Sequence, residues 1–185
     1  KHLLKMKEIK INLGCGWRNF GKDWIHIDGG DYEHLNSKDV INLPYDDNSI
    51  DLIYTSHLIA YFDRDEIKEI LKKWFKKLKP GGVFRVATPD FKSIVELIEN
   101  GNKLDNFLGP FYGKMNMGNK IIYHKTVYNY NSLKTLLLEC GFKKIDHYDW
   151  KNTEHGNSDD HSQAYFPHMD KENGTLISLN IEAVK

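Results

Sequence analysis

The stretch Leu13-Gly14-Cys15-Gly16 and the carboxylate of Asp28 are the residues whose types and spacing point most directly to chemistry. Glycine lacks a Cβ, so a Gly-x-Gly turn allows positive φ and lets a ligand approach the backbone closely. Asp28 follows Gly16 by twelve residues and closes the apolar run Trp24-Ile25-His26-Ile27. A carboxylate at the tip of a second strand can accept hydrogen bonds from both hydroxyls of a ribose. Together they read as a site for a nucleoside cofactor. The dinucleotide fingerprint asks for a third glycine, where Asn19 stands, and an acid about 20 residues on. Residues 17–23 are too few for a full crossover helix, and no pyrophosphate-binding helix start is evident. No Gly-Lys-Ser/Thr follows, which excludes a triphosphate P-loop.

A second set of residues has the chemistry of proton transfer. Histidine titrates near neutrality and is the natural general base. His57 stands just beyond the apolar run Ile50-Asp51-Leu52-Ile53-Tyr54, after the small polar pair Thr55-Ser56. Asp90 ends the next apolar run, Val83-Phe84-Arg85-Val86-Ala87, and also suits a helix cap. The tail from His155 to Asp170 adds His161 and His168 as further candidate bases. It holds many metal-competent groups, but their spacing matches no sharp metal signature, so no metal site is expected.

The elements that must position these groups are legible in the periodicity. Ile9 to Leu13 alternates as a half-buried strand, and 24–28, 39–42, 50–54 and 83–87 read as further strands. Asp63 and Glu66 form a capping-box-like start to a helix over 63–79. Ile67, Ile70, Leu71, Trp74, Phe75 and Leu78 make its apolar stripe, and its lysines fall off that stripe as a solvated face. Pro80-Gly81-Gly82 stops it. Helices are expected over 91–100 and 133–140, and strands over 142–150 and 176–184. Alternating strands and helices imply right-handed βαβ units and a parallel sheet, with ligands beyond the carboxyl ends of its strands. Residues 101–130, rich in Gly, Asn and aromatics, read as a lid or substrate-side insertion, and 151–173 as a polar loop over the site.

Length and composition set the limits. The chain's 185 residues read as a single domain, 1–185. Its 26 basic and 26 acidic residues cancel, which argues against a nucleic-acid partner or an anionic membrane surface. No apolar run is long enough to span a bilayer, and Lys1-His2-Leu3-Leu4-Lys5 lacks an apolar signal core. Two cysteines form neither a disulfide framework nor a metal spacing, so the cytoplasm is the expected location.

The ordered set Leu13-Gly14-Cys15-Gly16, Asp28, Asp39 through Leu43-Pro44-Tyr45, Asn48-Ser49-Ile50-Asp51, Leu78-Lys79-Pro80-Gly81-Gly82-Val83 and Glu139-Cys140-Gly141-Phe142 resembles the class I S-adenosylmethionine-dependent methyltransferases. The tail Asp160-x-Ser162-Gln163-Ala164-Tyr165-x-Pro167-His168-Met169 is similar to that of a small bacterial subgroup often associated with surface-polysaccharide genes. The resemblance implies an α/β fold: a three-layer α/β/α sandwich around a Rossmann-like, mostly parallel, seven-stranded sheet whose last strand is antiparallel. It implies S-adenosylmethionine as cofactor and S-adenosylhomocysteine as product. By motif position Gly14 and Gly16, with Cys15 between them, would pass the amino-acid moiety, and Asp28 would hold the ribose. Asp39 would sit near the adenine amino group with Asn42 or Leu43 beside the ring, and Ser56 would complete the cofactor set. Two departures concern the substrate side: the first crossover helix is nearly absent, and the family's acidic-His pair after the fourth strand reads Ala60-Tyr61. The aromatic lid and polar loops suit a carbohydrate, so the expected reaction is O-methylation of a small polar acceptor such as a sugar, nucleotide-sugar or glycan precursor. The rival readings are a non-catalytic S-adenosylmethionine-binding or partner module and a nicotinamide-dependent oxidoreductase.

Overall fold

In the computed structural model, residues 7–185 are described, so the reading of the first five residues lies outside them. Six strands form the central sheet among the described residues: β1 (Lys10–Leu13), β2 (Ile25–Ile27), β3 (Ile50–Ser56), β4 (Leu78–Pro89), β7 (Lys143–His147) and β10 (Ser178–Val184); β5 (Met115–Asn116) pairs with β6 (Ile121–Ile122) and β8 (Tyr165–Phe166) with β9 (Thr175–Leu176) outside it. Their order is β2-β1-β3-β4-β10-β7, and β10 runs antiparallel to both of its neighbours while the other pairs are parallel. The α/β class and the antiparallel last strand follow the expectation; the strand count does not. The expected third strand over 39–42 does not form, and among the described residues the outer edge of β2 meets a single bridge, Ile27 to Ser37. The reason is local. Asp39 Oδ1 accepts the N–H groups of Ile41 and Asn42, each at 2.9 Å, and turns the chain away from the ladder.

Cross-strand register sorts the sheet into two unlike faces. Ile25, Ile11, Ile53, Phe84 and Ala183 lie in one row across five strands. They share a core cluster with Ile67, Ile70, Leu71 and Trp74 of α1 (Glu66–Lys77) and with Leu133 and Leu137 of α4 (Tyr130–Glu139). Burying each such large side chain contributes about 1.5–3 kcal/mol, so this interface dominates stability. Reciprocal bonds lead into both helices, in the turn just before α1 and at the cap of α4. Asp63 Oδ1 accepts the N–H of Glu66 while Glu66 returns a bond to the Asp63 N–H, and Asn129 pairs likewise with Ser132. The lysines of α1 lie on its outer face, where Lys68 pairs with Glu139 at 2.7 Å and Lys73 donates to the Asn42 amide oxygen.

The next row, on the opposite face, reads His26, Asn12, Tyr54, Arg85, Glu182 and Asp146. No helix lies between β1 and β2 or between β2 and β3 among the described residues. The expected three-layer sandwich is therefore corrected: loops replace the second helical layer. Phe20 and Trp24 from the first loop pack with Leu52, Tyr54 and Tyr148. His155 from the tail stacks on Phe20 at 5.3 Å and lies 4.0 Å from the Tyr54 ring. The Tyr54 hydroxyl donates to Asp160 at 2.6 Å, so the buried polar row is capped by tail side chains rather than left unpaired. A smaller cluster of Ile94, Phe107 and Ile177 seats α2 (Phe91–Glu99) and α3 (Leu108–Tyr112) against the tail.

His155 makes this layer acid-sensitive. Its Nε2 lies 3.1 Å from the Arg85 guanidinium, which can only donate, so that nitrogen carries no proton. Burial, then the Arg85 charge, pushes its pKa down to about 4. The unfolded chain takes the proton first as pH falls below the ordinary value of 6.5, so stability is lost between there and about 4 and levels off below. The expected loss from this residue is on the order of 3 kcal/mol. His26, His57, His124 and His161 are shifted the same way, so the test is a comparison. In denaturant titrations at pH 7 and pH 4.5, His155→Gln should show a smaller acid loss than wild type. An identical loss would mean that His155 is not the titrating group.

Candidate functional site

The tips of β1 and β2 are joined by the glycine turn. Gly14 has φ +72° and its N–H donates to the Ile27 carbonyl at 2.7 Å. A Cβ there would lie 3.0 Å from Leu58 carbons, so the turn is tied to glycine by both conformation and packing. Gly16 has φ +57° and aims its N–H at Asp28 Oδ2, 2.8 Å away, while the Gly30 N–H donates to Oδ1 at 2.7 Å. Each carboxylate oxygen thus holds one backbone donor and keeps a lone pair for another. The bonds fix the carboxylate before any ligand arrives.

The other expected cofactor-side residues fall around this clamp. Cys15 is 4% exposed, and burial followed by the Asp28 charge pushes its thiol up to about 12, which rules it out as a nucleophile at neutral pH. The Asp28 N–H reaches the Ser37 carbonyl at 3.3 Å and so holds the following turn against the β2 tip. In that turn Asp39 is exposed and held below the usual carboxylate range by bonds from Asn42. Asn42 is exposed and receives Lys73 at 2.9 Å, whereas Leu43 is buried in the main core. At the end of β3 the hydroxyls of Thr55 and Ser56 are buried with no partner. A buried hydroxyl without a partner is costly and marks a place for a ligand or water.

Of the candidate bases, the structure brings two together. His57 sits beyond β3 with φ +54°, its N–H bonded to the Ala87 carbonyl of β4. Its ring lies 5.2 Å from that of His161. Burial, then the neighbouring His161, holds His57 well below the ordinary histidine value, so it is neutral at pH 7. Arg18, from the glycine-turn loop, donates to the Asp159 carbonyl at 2.8 Å and latches that loop to the tail. His168 is exposed on a turn and forms no hydrogen bond with these groups. Asp90 serves as the cap of α2, accepting from Lys92 N–H and the Ser93 hydroxyl.

Sequence reasoning missed Ser178 and Asn180, both 3% exposed at the start of β10. His57 Nε2 lies 3.0 Å from Ser178 Oγ, which donates to Asn180 Oδ1 at 2.9 Å. Their only trace in the sequence is a polar residue at alternate positions of an otherwise apolar strand. Both also line a cavity of about 570 Å³ beyond β4, β10 and β7, together with Asp90, Asp149, Trp150 and Tyr165. Among the described residues, no three His, Cys, Asp or Glu side chains converge as a metal-binding group. No helix there is long and apolar enough to cross a membrane.

Residues 21–86, which run from the glycine turn's exit to β4, match a family model described as a methyltransferase domain. The fold agrees along nearly the whole chain. A methyltransferase structure from Archaeoglobus fulgidus, described as SAM-dependent, aligns with a TM-score of 0.59 at 16% identity, covering 98% of this chain and 87% of that one. The chain has the fold of that methyltransferase, and residues 21–86 match the methyltransferase-domain model. Another structure of that fold, from Thermotoga maritima and described as a possible histamine N-methyltransferase, aligns with the same TM-score, covering 98% of this chain and 84% of that one at 16% identity. A Burkholderia thailandensis 1,6-didemethyltoxoflavin-N1-methyltransferase, solved with its acceptor and S-adenosylhomocysteine, aligns at 12% identity with a TM-score of 0.55, over 96% of this chain and 70% of its own. In sequence, the chain is similar to a Staphylococcus epidermidis protein described as a demethylmenaquinone methyltransferase, at 31% identity over 119 residues. That match covers 58% of this chain and 46% of the relative, so the chain spans about half the length of the curated relatives it matches.

Proposed function

We propose that this methyltransferase domain uses S-adenosylmethionine to O-methylate a small polar acceptor: a sugar, nucleotide-sugar or glycan precursor. The observation that carries the cofactor reading is Asp28, clamped between the N–H groups of Gly16 and Gly30 with lone pairs to spare. The bare backbone at Gly14, Cys15 and Gly16 would pass the amino-acid end, and Asp28 would accept both ribose hydroxyls. The 39–43 turn, with Asp39, Asn42 and Leu43, would border the adenine, and the unpartnered hydroxyls of Thr55 and Ser56 fit a polar ligand across the β3 tip. Bound there, the cofactor supplies an activated methyl group.

The chain's own work is then to align the acceptor and take its proton. His57 is the best-supported base, being neutral and beside His161; His168 and Asp90 are less well supported by their positions. The acceptor side would be the 570 Å³ cavity, whose Trp150 and Tyr165 offer flat faces and whose Asp90 and Asp149 offer acceptors for hydroxyls. The small-molecule acceptors named for the Staphylococcus and Burkholderia proteins support a small-molecule acceptor here. The insertion 101–130 would act as a lid. The antiparallel pair β5 (Met115–Asn116) and β6 (Ile121–Ile122) projects from it, and Met117 at its tip comes within 3.7 Å of a Cβ position at Gly29, next to Asp28.

Tyr61, at the position of the family's missing acidic-His pair, donates to the Gly113 carbonyl at 2.6 Å and anchors that insertion. A structural use of this position is the one observation that favours a non-catalytic binding module. Calorimetry with S-adenosylmethionine, S-adenosylhomocysteine and NAD tests the reading: the first two should bind and NAD should not. Binding of NAD alone would replace it with the oxidoreductase. Binding of the sulfonium without turnover over a broad panel of acceptors would favour the module.

A further inference from the structure

We infer that Ser178 and Asn180 are positioning residues that lock His57 in one tautomer, with the proton on Nε2 and the lone pair on Nδ1. The inference rests on the reading of His57 as the base and deepens it by naming the atom that accepts the proton.

One partner in this run of hydrogen bonds has a role that cannot change. The Ser162 carbonyl only accepts, and the Asn180 amide nitrogen lies 2.8 Å from it. The amide is therefore oriented: a flip would set its oxygen against the Ser162 carbonyl oxygen at 2.8 Å. Asn180 Oδ1 must then face Ser178, 2.9 Å away. An amide oxygen only accepts, so the single Ser178 hydroxyl proton goes to Asn180. Ser178 Oγ has only lone pairs left for His57, so the nitrogen facing it across 3.0 Å, Nε2, must be the donor. A neutral imidazole has one N–H, which leaves Nδ1 as the acceptor. The backbone holds the ring in place as well: the His57 N–H is bonded to the Ala87 carbonyl.

The other protonation state is excluded by the same chain. With Ser178 already committed to Asn180, an unprotonated Nε2 would face a lone pair. Proton uptake by His57 therefore occurs on Nδ1, away from β10, and the Ser178–Asn180 pair does not have to reorganise as it happens.

The test is long-range proton–nitrogen NMR on the full chain, selectively ¹⁵N-labelled at histidine, with S-adenosylhomocysteine affinity measured in parallel by calorimetry. Wild-type His57 should show the Nε2–H tautomer. In Asn180→Ala the freed Ser178 hydroxyl can donate to Nε2, and the tautomer ratio should shift toward Nδ1–H by roughly fivefold or more. Ser178→Thr keeps the hydroxyl and should keep the wild-type tautomer even if Asn180→Ala fails to fold. Adding S-adenosylhomocysteine should perturb the Nδ1 resonance. A wild-type Nδ1–H tautomer, or an Asn180→Ala spectrum with the tautomer unchanged, would overturn the inference. So would a silent Nδ1 when calorimetry shows the ligand bound. Absent binding in calorimetry would instead sink the cofactor reading, while the tautomer assignment would be judged by the spectra alone.

Discussion

Asp28→Ala should lower S-adenosylhomocysteine affinity by at least about 100-fold, because two hydroxyls lose a charged acceptor and each such hydrogen bond contributes about 1.5–3 kcal/mol. The loss has a second source in the free protein. The Gly16 and Gly30 N–H groups both end on this carboxylate, at 2.8 and 2.7 Å, so its removal also releases the turn that shapes the crevice. Asp28→Asn tests the two contributions separately. The amide keeps one acceptor oxygen and the size of the side chain but turns its other end into a donor, against either Gly16 or Gly30. Its affinity should fall between wild type and Asp28→Ala. Calorimetry on the purified variants decides the matter without any acceptor. An Asp28→Ala affinity equal to wild type would show that the ribose lies elsewhere.

His57→Ala should reduce turnover by about 10²–10⁴, the usual contribution of a positioned general base, with cofactor affinity little changed. The same residue should set the acidic limb of the pH–rate profile. The neutral imidazole is the form that accepts a proton. Because burial and then His161 hold His57 well below 6.5, the neutral form persists as pH falls through that value. Initial rates should therefore stay level from pH 8 to below pH 6.5 and decline only in more acid solution. A limb centred at or above 6.5, or an alanine variant as fast as wild type, would remove His57 from the reaction and turn attention to His161.

How much of this was legible in the residues themselves differs from place to place. The glycine turn and Asp28 could be read because both act within twelve residues of each other, and backbone demands at that range leave a local signature. The helix at 66–77 was readable for the same reason, its cap and apolar stripe being local. The strand expected at 39–42 failed because a run of residues of strand-like composition also held an aspartate able to bond its own backbone, and that turn won. Ser178 and Asn180 went unseen because nothing local marks them; Ser178 meets His57 across 121 positions of chain. The shortness of residues 17–23 correctly signalled a missing helix, but it did not reveal that Phe20, Trp24 and the tail would cover the vacated sheet face.

The order of the strands bears on how the chain can acquire this shape during synthesis. β10 fills the slot between β4 and β7, and β7 has no other neighbour in the sheet among the described residues. Until residues 178–184 have cleared the ribosome, β7 has nothing to pair with and β4 has an open edge. Such an edge is a template for wrong partners. β1 to β4 and α1 therefore precede the strand that fills the slot, and residues 178–184, Ser178 and Asn180 included, enter the sheet after them.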